Sequence, residues 1–540
     1  MSLAEASPTA KATASRCLLC SVGCPVRVRR VGPDQYLPDY VPQAGYVGLC
    51  GRGSVLVELL DHEERFRRAG GPAGRPIPLQ QACREMAETI RRSASAVIVA
   101  DGNLGLDVLA RIGRFAREVE ARWAVHVPPG DAGLVRGLDG SGANVVAPEA
   151  LAQADALLVV GDVFAAAPVA AHWIFAAGDA HSRMPRLVMA GGDTATAKFA
   201  TSPFEPALAS GGFGAALAAV RTGLTGGLPG DATPLVEWKH VLGSARHPAI
   251  VLTAELGFAD GCAAAREAAA LAKETGAMVC PLTAFGNAWG AMRVADAEGA
   301  GPVATVLRPG ADAVLVIGCD PATAYGSALG SGVLDAAGNV LYVGPMPNRT
   351  SGRASLVIPS AFGFETAGRA LLGPDRLVTY EPLLDPPAGV PTVDAVLDMA
   401  GAPGEGQADI AAPATAPEAA ELVGAGAGDC KGIAVAPASD AVHFDDGSVT
   451  GRAAWPRTVR PRPVLALAPS DAEAAGLSDG RTARLTGPGG SAEAEVVVRP
   501  HQRAGQAWVS RGFAEVRDAF GWSWAGPCPG EPVCMEIEKA

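Results

Sequence analysis

The sequence predicts an α/β protein with parallel sheets, preceded by a small cysteine-bearing segment and followed by a compact β domain. Three observations support this. Short aliphatic runs recur along the middle of the chain, each closed by a Gly/Asp/Asn turn and several followed by a helical stretch; strands that alternate with helices imply parallel sheets with both faces covered. Almost half of the 540 residues are hydrophobic but only 5% are aromatic, with 67 Gly and 43 Pro, so Ala, Val, Leu and Gly carry the packing, as buried parallel strands require. The last hundred residues switch to short strands separated by glycine turns.

The expected strands of the α/β part are 96–100, 156–160, 187–190, 249–253, 278–280, 313–317 and 340–343, with helices at 104–119 and 259–275 between them. Their turns are Asp101-Gly102-Asn103, Gly161-Asp162, Gly191-Gly192-Asp193 and Gly318-Cys319-Asp320-Pro321, and ligands on such sheets bind at these carboxyl ends. Earlier, a connecting helix over 55–68 is expected, then a Gly/Pro break at 70–74 and an amphipathic helix over 79–92. Residues 385–430 turn rich in Pro, Ala and Gly, and the linker is placed at 401–430. Strands at 464–468, 482–486, 492–498 and 507–509 then build a barrel-like β domain.

The formal net charge is −12. A nucleic-acid partner calls for a basic face, and none is evident. No run reaches the roughly 18 apolar residues that span a bilayer, and the first fifteen residues carry neither an apolar signal core nor a twin-arginine pair. The expectation is a cytoplasmic protein, brought to a membrane only through partners.

Eleven cysteines are present, an odd number in a long chain, which argues against a disulfide framework. Four cluster at the start: Cys17-Leu-Leu-Cys20-Ser-Val-Gly-Cys24-Pro25, then Cys50-Gly51-Arg52-Gly53. Three close thiolates can wrap three corners of an iron–sulfur cubane while a distant fourth closes it. Structural zinc favours two short Cys pairs, and isolated buried thiols do not explain the spacing. The expectation is one [4Fe-4S] cluster on Cys17, Cys20, Cys24 and Cys50. Cys83, Cys262, Cys280, Cys319, Cys430, Cys528 and Cys534 are read mostly as small buried hydrophobes, with Cys319 in a strand-end turn and Cys528 with Cys534 as a weak pairing hint.

The cysteine motif resembles that of the molybdopterin (dimethyl sulfoxide reductase) superfamily, in which C-x2-C-x3-C and, after a long gap, C-x-K/R-G open the large subunit. Further segments resemble the family in its order: 155–162 with Pro168 and His172; 311–321; Asn287-Ala-Trp-Gly290; 356–359 with Phe364-Glu365-Thr366; and 467–472 with 476–480. In size the chain resembles the formylmethanofuran dehydrogenase catalytic subunit, formate dehydrogenase or the large iron–sulfur subunit of respiratory NADH dehydrogenase. The resemblance implies a cluster domain (1–70), two interleaved α/β domains (71–125 plus 245–400, with 126–244 inserted) and a C-terminal double-psi β-barrel (431–540). It also implies a Mo/W-bis(pterin guanine dinucleotide) contacted by Arg52, Gly161, Asp162, His172, Asn287, Gly318, Asp320 and Asp471, with Arg52 between cluster and pterin.

One departure bears on function. Family members ligate Mo or W with Cys, selenocysteine, Ser or Asp, and the corresponding stretch here is His126-Val-Pro128-Pro129-Gly130-Asp131. Pro128 falls at the ligand position. Asp131 is the one plausible substitute, with His126 behind it, and Asp131 reads first as a solvated loop carboxylate. Ala165, Ala166 and Ala167 stand where polar cofactor contacts are common. The favoured expectation is therefore an electron-transfer subunit with a degenerate Mo/W site, working with other iron–sulfur, flavin or quinone-reactive subunits. The alternative is an active Mo/W dehydrogenase acting on formate or a one-carbon group.

Overall fold

The computed structural model describes residues 15–540 apart from 33–34, 42–44, 47, 61, 72–74, 209–210, 227, 229–231, 405, 412–429, 431 and 524–526. Most of the expected linker therefore lies outside the described residues.

Near the N-terminus, β1 (Ser15–Arg16), β2 (Pro25–Gly32) and β3 (Gln35–Tyr40) form a small antiparallel sheet. The expected helix over 55–68 is only a turn, Leu56–Leu59. Beyond it the chain is tied down by side chains instead. Arg65 forks onto the buried Glu365 carboxylate, its Nη1 donating to Oε1 at 2.7 Å, and its guanidinium lies 4.9 Å from the Phe362 ring. The helix Leu79–Arg92 forms as expected, burying Ala82, Cys83, Met86, Ala87 and Ile90 on one stripe.

Two five-stranded parallel sheets follow. β4 (Ala96–Asp101) and β5 (Arg122–His126) begin the first. The chain then leaves to build the second from β6 (Ala156–Val160), β7 (Arg186–Met189), β8 (Ser202–Phe204), β9 (Pro248–Leu252) and β10 (Met278–Pro281). It returns with β11 (Ala313–Ile317), β12 (Asn339–Gly344) and β13 (Leu356–Pro359). The strand orders are β13-β12-β11-β4-β5 and β10-β9-β6-β7-β8. The expected boundary at 245 is corrected here: β9 pairs with β6, Ala249 opposite Leu157, and β10 pairs with β9. A run of aliphatic residues between two buried faces carries no mark of which sheet it joins.

The sheets are locked by glycines. In the helix Pro129–Leu138, a Cβ at Gly133 would lie 2.2 Å from the Phe258 carbonyl oxygen, and one at Gly137 2.6 Å from that of Cys262. The helix thus lies almost backbone to backbone on the helix Phe258–Thr275. A hairpin of β14 (Gly368–Leu371) and β15 (Leu377–Tyr380) comes next.

The C-terminal domain is a closed barrel of six strands: β16 (Ile433–Ala438), β17 (Val464–Leu467), β18 (Thr482–Gly487), β19 (Gly490–Val498), β20 (Gln506–Ser510) and β21 (Val533–Lys539). The sequence reading found the middle four and missed β16 and β21, which pair with each other and close the barrel. A disulfide links Cys430 to Cys534, correcting both the reading of these residues as isolated thiols and the hint that Cys534 pairs with Cys528. The two bonded cysteines are 104 residues apart, so nothing in their local sequence announces the bond. Among the described residues no helix is long and apolar enough to cross a membrane.

Candidate functional site

The carboxyl ends of both parallel sheets face the barrel, and the cysteine loop closes one side of this junction. Cys17, Cys20 and Cys24 are buried and Cys50 is half-buried. The loop folds on itself through Cys17 N–H to Cys24 O (2.9 Å) and Gly23 N–H to Cys20 O (3.2 Å). Gly23 has φ +64°, and a Cβ there would meet Leu372 Cδ1 at 2.2 Å, so only glycine fits. Ser21 N–H donates to Thr283 O at 3.0 Å, and Thr283 N–H donates to Ser21 Oγ at 2.9 Å, pinning the loop just beyond β10.

Burial pushes the Cys17, Cys20 and Cys24 thiols up, and Cys50 raises each of them further. Arg52 opposes this at Cys17 and Cys20. The four thiols thus share one small volume with one buried cation. Among the described residues, no three His, Cys, Asp or Glu side chains group as a single metal ion needs. Arg52 is 2% exposed. Its Nη2 donates to Ala166 O at 2.5 Å, just past the end of β6, while its buried Nε has no partner.

At the ends of the first sheet lies a buried ionisable cluster that sequence reading largely missed. His126 Nδ1 is 2.8 Å from Tyr325 Oη, and its Nε2 is 3.5 Å from Asp445 Oδ2. Arg517 Nη2 donates to Asp445 Oδ1 at 3.1 Å, and its Nη1 to Ala324 O at 2.9 Å. Burial would raise the Asp445 carboxyl, but Arg517 and His126 outweigh it and hold the group well below the usual range. Burial alone would lower the His126 pKa; its contact with Asp445 reverses this and raises it. Burial lifts Asp101 to about 6, and burial plus the Asp445 charge lifts Asp446 to about 7. Segments distant in sequence meet here, so no local pattern announces the cluster.

Asp131 is not the expected solvated carboxylate. It is 2% exposed, sits in the first turn of its helix and accepts from Phe285 N–H at 2.9 Å. Burial raises it to about 7. The neighbouring glycines, read as loop, instead let the helix bury itself.

The other expected contacts divide by position. Gly161 (φ +86°) and Asp162 end β6; Asp162 Oδ1 accepts from Thr196 Oγ1 at 2.6 Å, and burial with the nearby Glu255 raises it to about 6. Gly318 (φ +81°) ends β11 beside Asp101, the neighbouring Cys319 is buried, and Asp320 accepts from Thr323, Arg349 and Thr350. Asn287 is wholly buried in a structural role, with Nδ2 donating to Gly102 O and Leu104 O and Oδ1 accepting from Leu371 N–H. His172 is half-buried and packs edge-on to Trp173. Asp471 accepts from Gly505 N–H at 2.8 Å on the barrel. Ala166 and Ala167 are buried, and Ala165 is half-buried.

Between the first sheet and the barrel opens a cleft of about 730 Å³ lined by Asp320, Arg349, His443, Arg452, Arg457 and Arg460. Arg349, Arg452 and Arg460 are paired with Asp518, Glu64 and Asp440, and Asp446 and Glu515 share the lining, so the cleft carries both signs of charge. Facing the second sheet, Ser439 Oγ and Gln502 Oε1 are buried without partners.

Residues 440–535 match the family described as Molydopterin dinucleotide binding domain. The whole chain is similar in fold to the solved structure of acetylene hydratase from Pelobacter acetylenicus, with a TM-score of 0.71 at 11% identity, covering 98% of this chain and 100% of that one. No curated protein matches in sequence. The resemblance drawn from the sequence motifs is borne out by the barrel domain and by the fold.

Proposed function

We propose that this chain, whose C-terminal domain belongs to the molybdopterin dinucleotide-binding family, is the iron–sulfur subunit of a multi-subunit oxidoreductase. Cys17, Cys20, Cys24 and Cys50 would hold a [4Fe-4S] cluster, and a pterin dinucleotide would lie between the strand ends and the barrel. The observation that carries this reading is Arg52: a buried guanidinium beside the thiols that reaches the β6 strand end and keeps an unpartnered Nε. A cubane takes one thiolate per iron, so the four cysteine sulfurs would stand around a cluster rather than close on one ion.

The arginines of the cleft would hold diphosphate oxygens in exchange for their carboxylate partners, and Ser439 and Gln502 would supply free polar atoms on the other side. When bound, a pterin-held Mo or W supplies two-electron redox chemistry and the cluster one-electron steps. The protein's own part is to bind, orient and exclude water. Residues 126–133 offer no thiolate, the Asp131 carboxylate is engaged by Phe285 N–H and His126 by Tyr325 and Asp445, so this stretch would leave the metal without a side-chain ligand. Electrons then need a donor and an acceptor on other iron–sulfur, flavin or quinone-reactive subunits.

A specific observation favours a second reading, the active dehydrogenase. Buried charges are costly to keep and perturbed groups gather at working sites, yet His126, Tyr325, Asp445 and Arg517 persist as a connected set.

Anaerobic purification with Fe, Mo and W analysis and pterin extraction tests both. About four irons per chain, lost in Cys24→Ser, support the cluster; unchanged iron in that variant overturns it. With Mo or W bound, turnover that survives in Asp131→Ala but fails in His126→Ala selects the second reading. Isolation with redox partners and no turnover by the chain alone selects the first.

A further inference from the structure

A second, apolar cavity of about 280 Å³ lies against the end of β5. Val125 and Val127, which flank His126, form part of its wall together with Phe258, Met292 and Tyr325. Tyr325 therefore both lines this cavity and hydrogen-bonds His126 at 2.8 Å. We propose that the cavity is a binding site for a small, uncharged, largely apolar molecule, held beside the Tyr325–His126–Asp445–Arg517 cluster.

The walls exclude other ligand classes. The cation of the lining, Arg136, is forked onto both oxygens of Asp296, leaving no net charge to draw an anion. The Tyr325 hydroxyl is engaged by His126, and burial lifts the Cys528 thiol to about 11, so it stays neutral. A resident water needs two to four polar partners, and these walls leave few. A dry apolar cavity of about 150 Å³ takes up benzene or xenon, so the volume here suits a molecule up to about a substituted benzene.

Small residues keep the space open: Ala132, Ala295, Ala300 and Ala304 all stand on the wall. The helix Pro129–Leu138 shows the asymmetry: Gly130, Gly133 and Gly137 press onto neighbouring backbone, while Ala132 and Arg136 line the opening. Where the cavity meets solvent, Pro302 and Asp296 are exposed. The role of the ligand as a substrate rests on the active-dehydrogenase reading above; its binding does not.

The test uses the full chain. Crystals pressurised with xenon should show it between Tyr325 and Met292, and benzene should raise the melting temperature while formate does not. Ala132→Leu should remove the xenon and weaken benzene binding by at least tenfold. Should that variant fail to fold, Ala304→Leu on another wall makes the same test. No xenon in the wild type, xenon that persists in both folded variants, or displacement of benzene by formate would overturn the proposal. Fe and Mo content of the same preparations reports separately on the proposed function, because xenon binding requires neither.

Discussion

Replacing Asp131 by asparagine should flatten the pH dependence of stability and make the protein more stable above neutrality. The carboxyl is raised from 3.8 to about 7, mainly by burial, with Asp445 adding to the rise and the Phe285 and Ala284 N–H groups and Arg511 opposing it. The folded state thus holds a proton that the unfolded chain has released between about pH 4 and 7. Stability falls with rising pH wherever the folded state binds more protons. The penalty is absent below pH 4, grows to pH 7 and is constant above it. A gap of about three pH units at ~1.4 kcal/mol each puts it at about 4 kcal/mol. Asparagine keeps one acceptor, so a second N–H loses its partner at about 1–3 kcal/mol. The net gain at pH 8 is then about 1–3 kcal/mol. The stability difference between variant and wild type should change by about 3 kcal/mol between pH 5 and 8. Urea melts at pH 5, 6, 7 and 8 read both quantities. Parallel pH profiles for the two proteins would refute the reasoning.

Three further outcomes follow from packing and bonding. Glu365→Ala strands the buried Arg65 guanidinium and frees the Phe362 N–H; a loss of about 3–5 kcal/mol is expected, read by denaturant midpoint, and a loss under 1 kcal/mol would show that the pair is not structural. Gly133→Ala places a Cβ 2.2 Å from the Phe258 carbonyl oxygen and should cost at least about 1–3 kcal/mol by overpacking, whereas Ala132→Ser in the same helix should be nearly neutral; equal effects on melting temperature would contradict this. Cys534→Ser removes the bond to Cys430 and should lower stability under oxidising conditions by about 2–5 kcal/mol, with no difference from wild type under reductant.

Periodicity and turn chemistry made much of the fold legible. The helix Leu79–Arg92 carries its apolar stripe openly, and the aliphatic runs at 96–100, 156–160 and 313–317 read as strands because buried parallel strands have no polar face to hide. The cysteine spacing likewise marked a region in which the fold brings four thiols close together. Sheet membership was not legible. β9 is as aliphatic as β11, and it is the pairing of β9 with β6 and of β10 with β9 in the folded chain that assigns them to the second sheet. The outer barrel strands and the Cys430–Cys534 bond were hidden for the same reason: closure is a relation between segments about a hundred residues apart. Asp131 shows how the environment can reverse a local reading, because glycines that suggest a loop also permit the closest helix contact, which buries the carboxylate. The ionisable cluster was the least legible of all. His126, Tyr325, Asp445 and Arg517 come from four separate segments, and their charges and hydrogen bonds exist only once the barrel caps the strand ends; chain folding, not local sequence, brings them within reach.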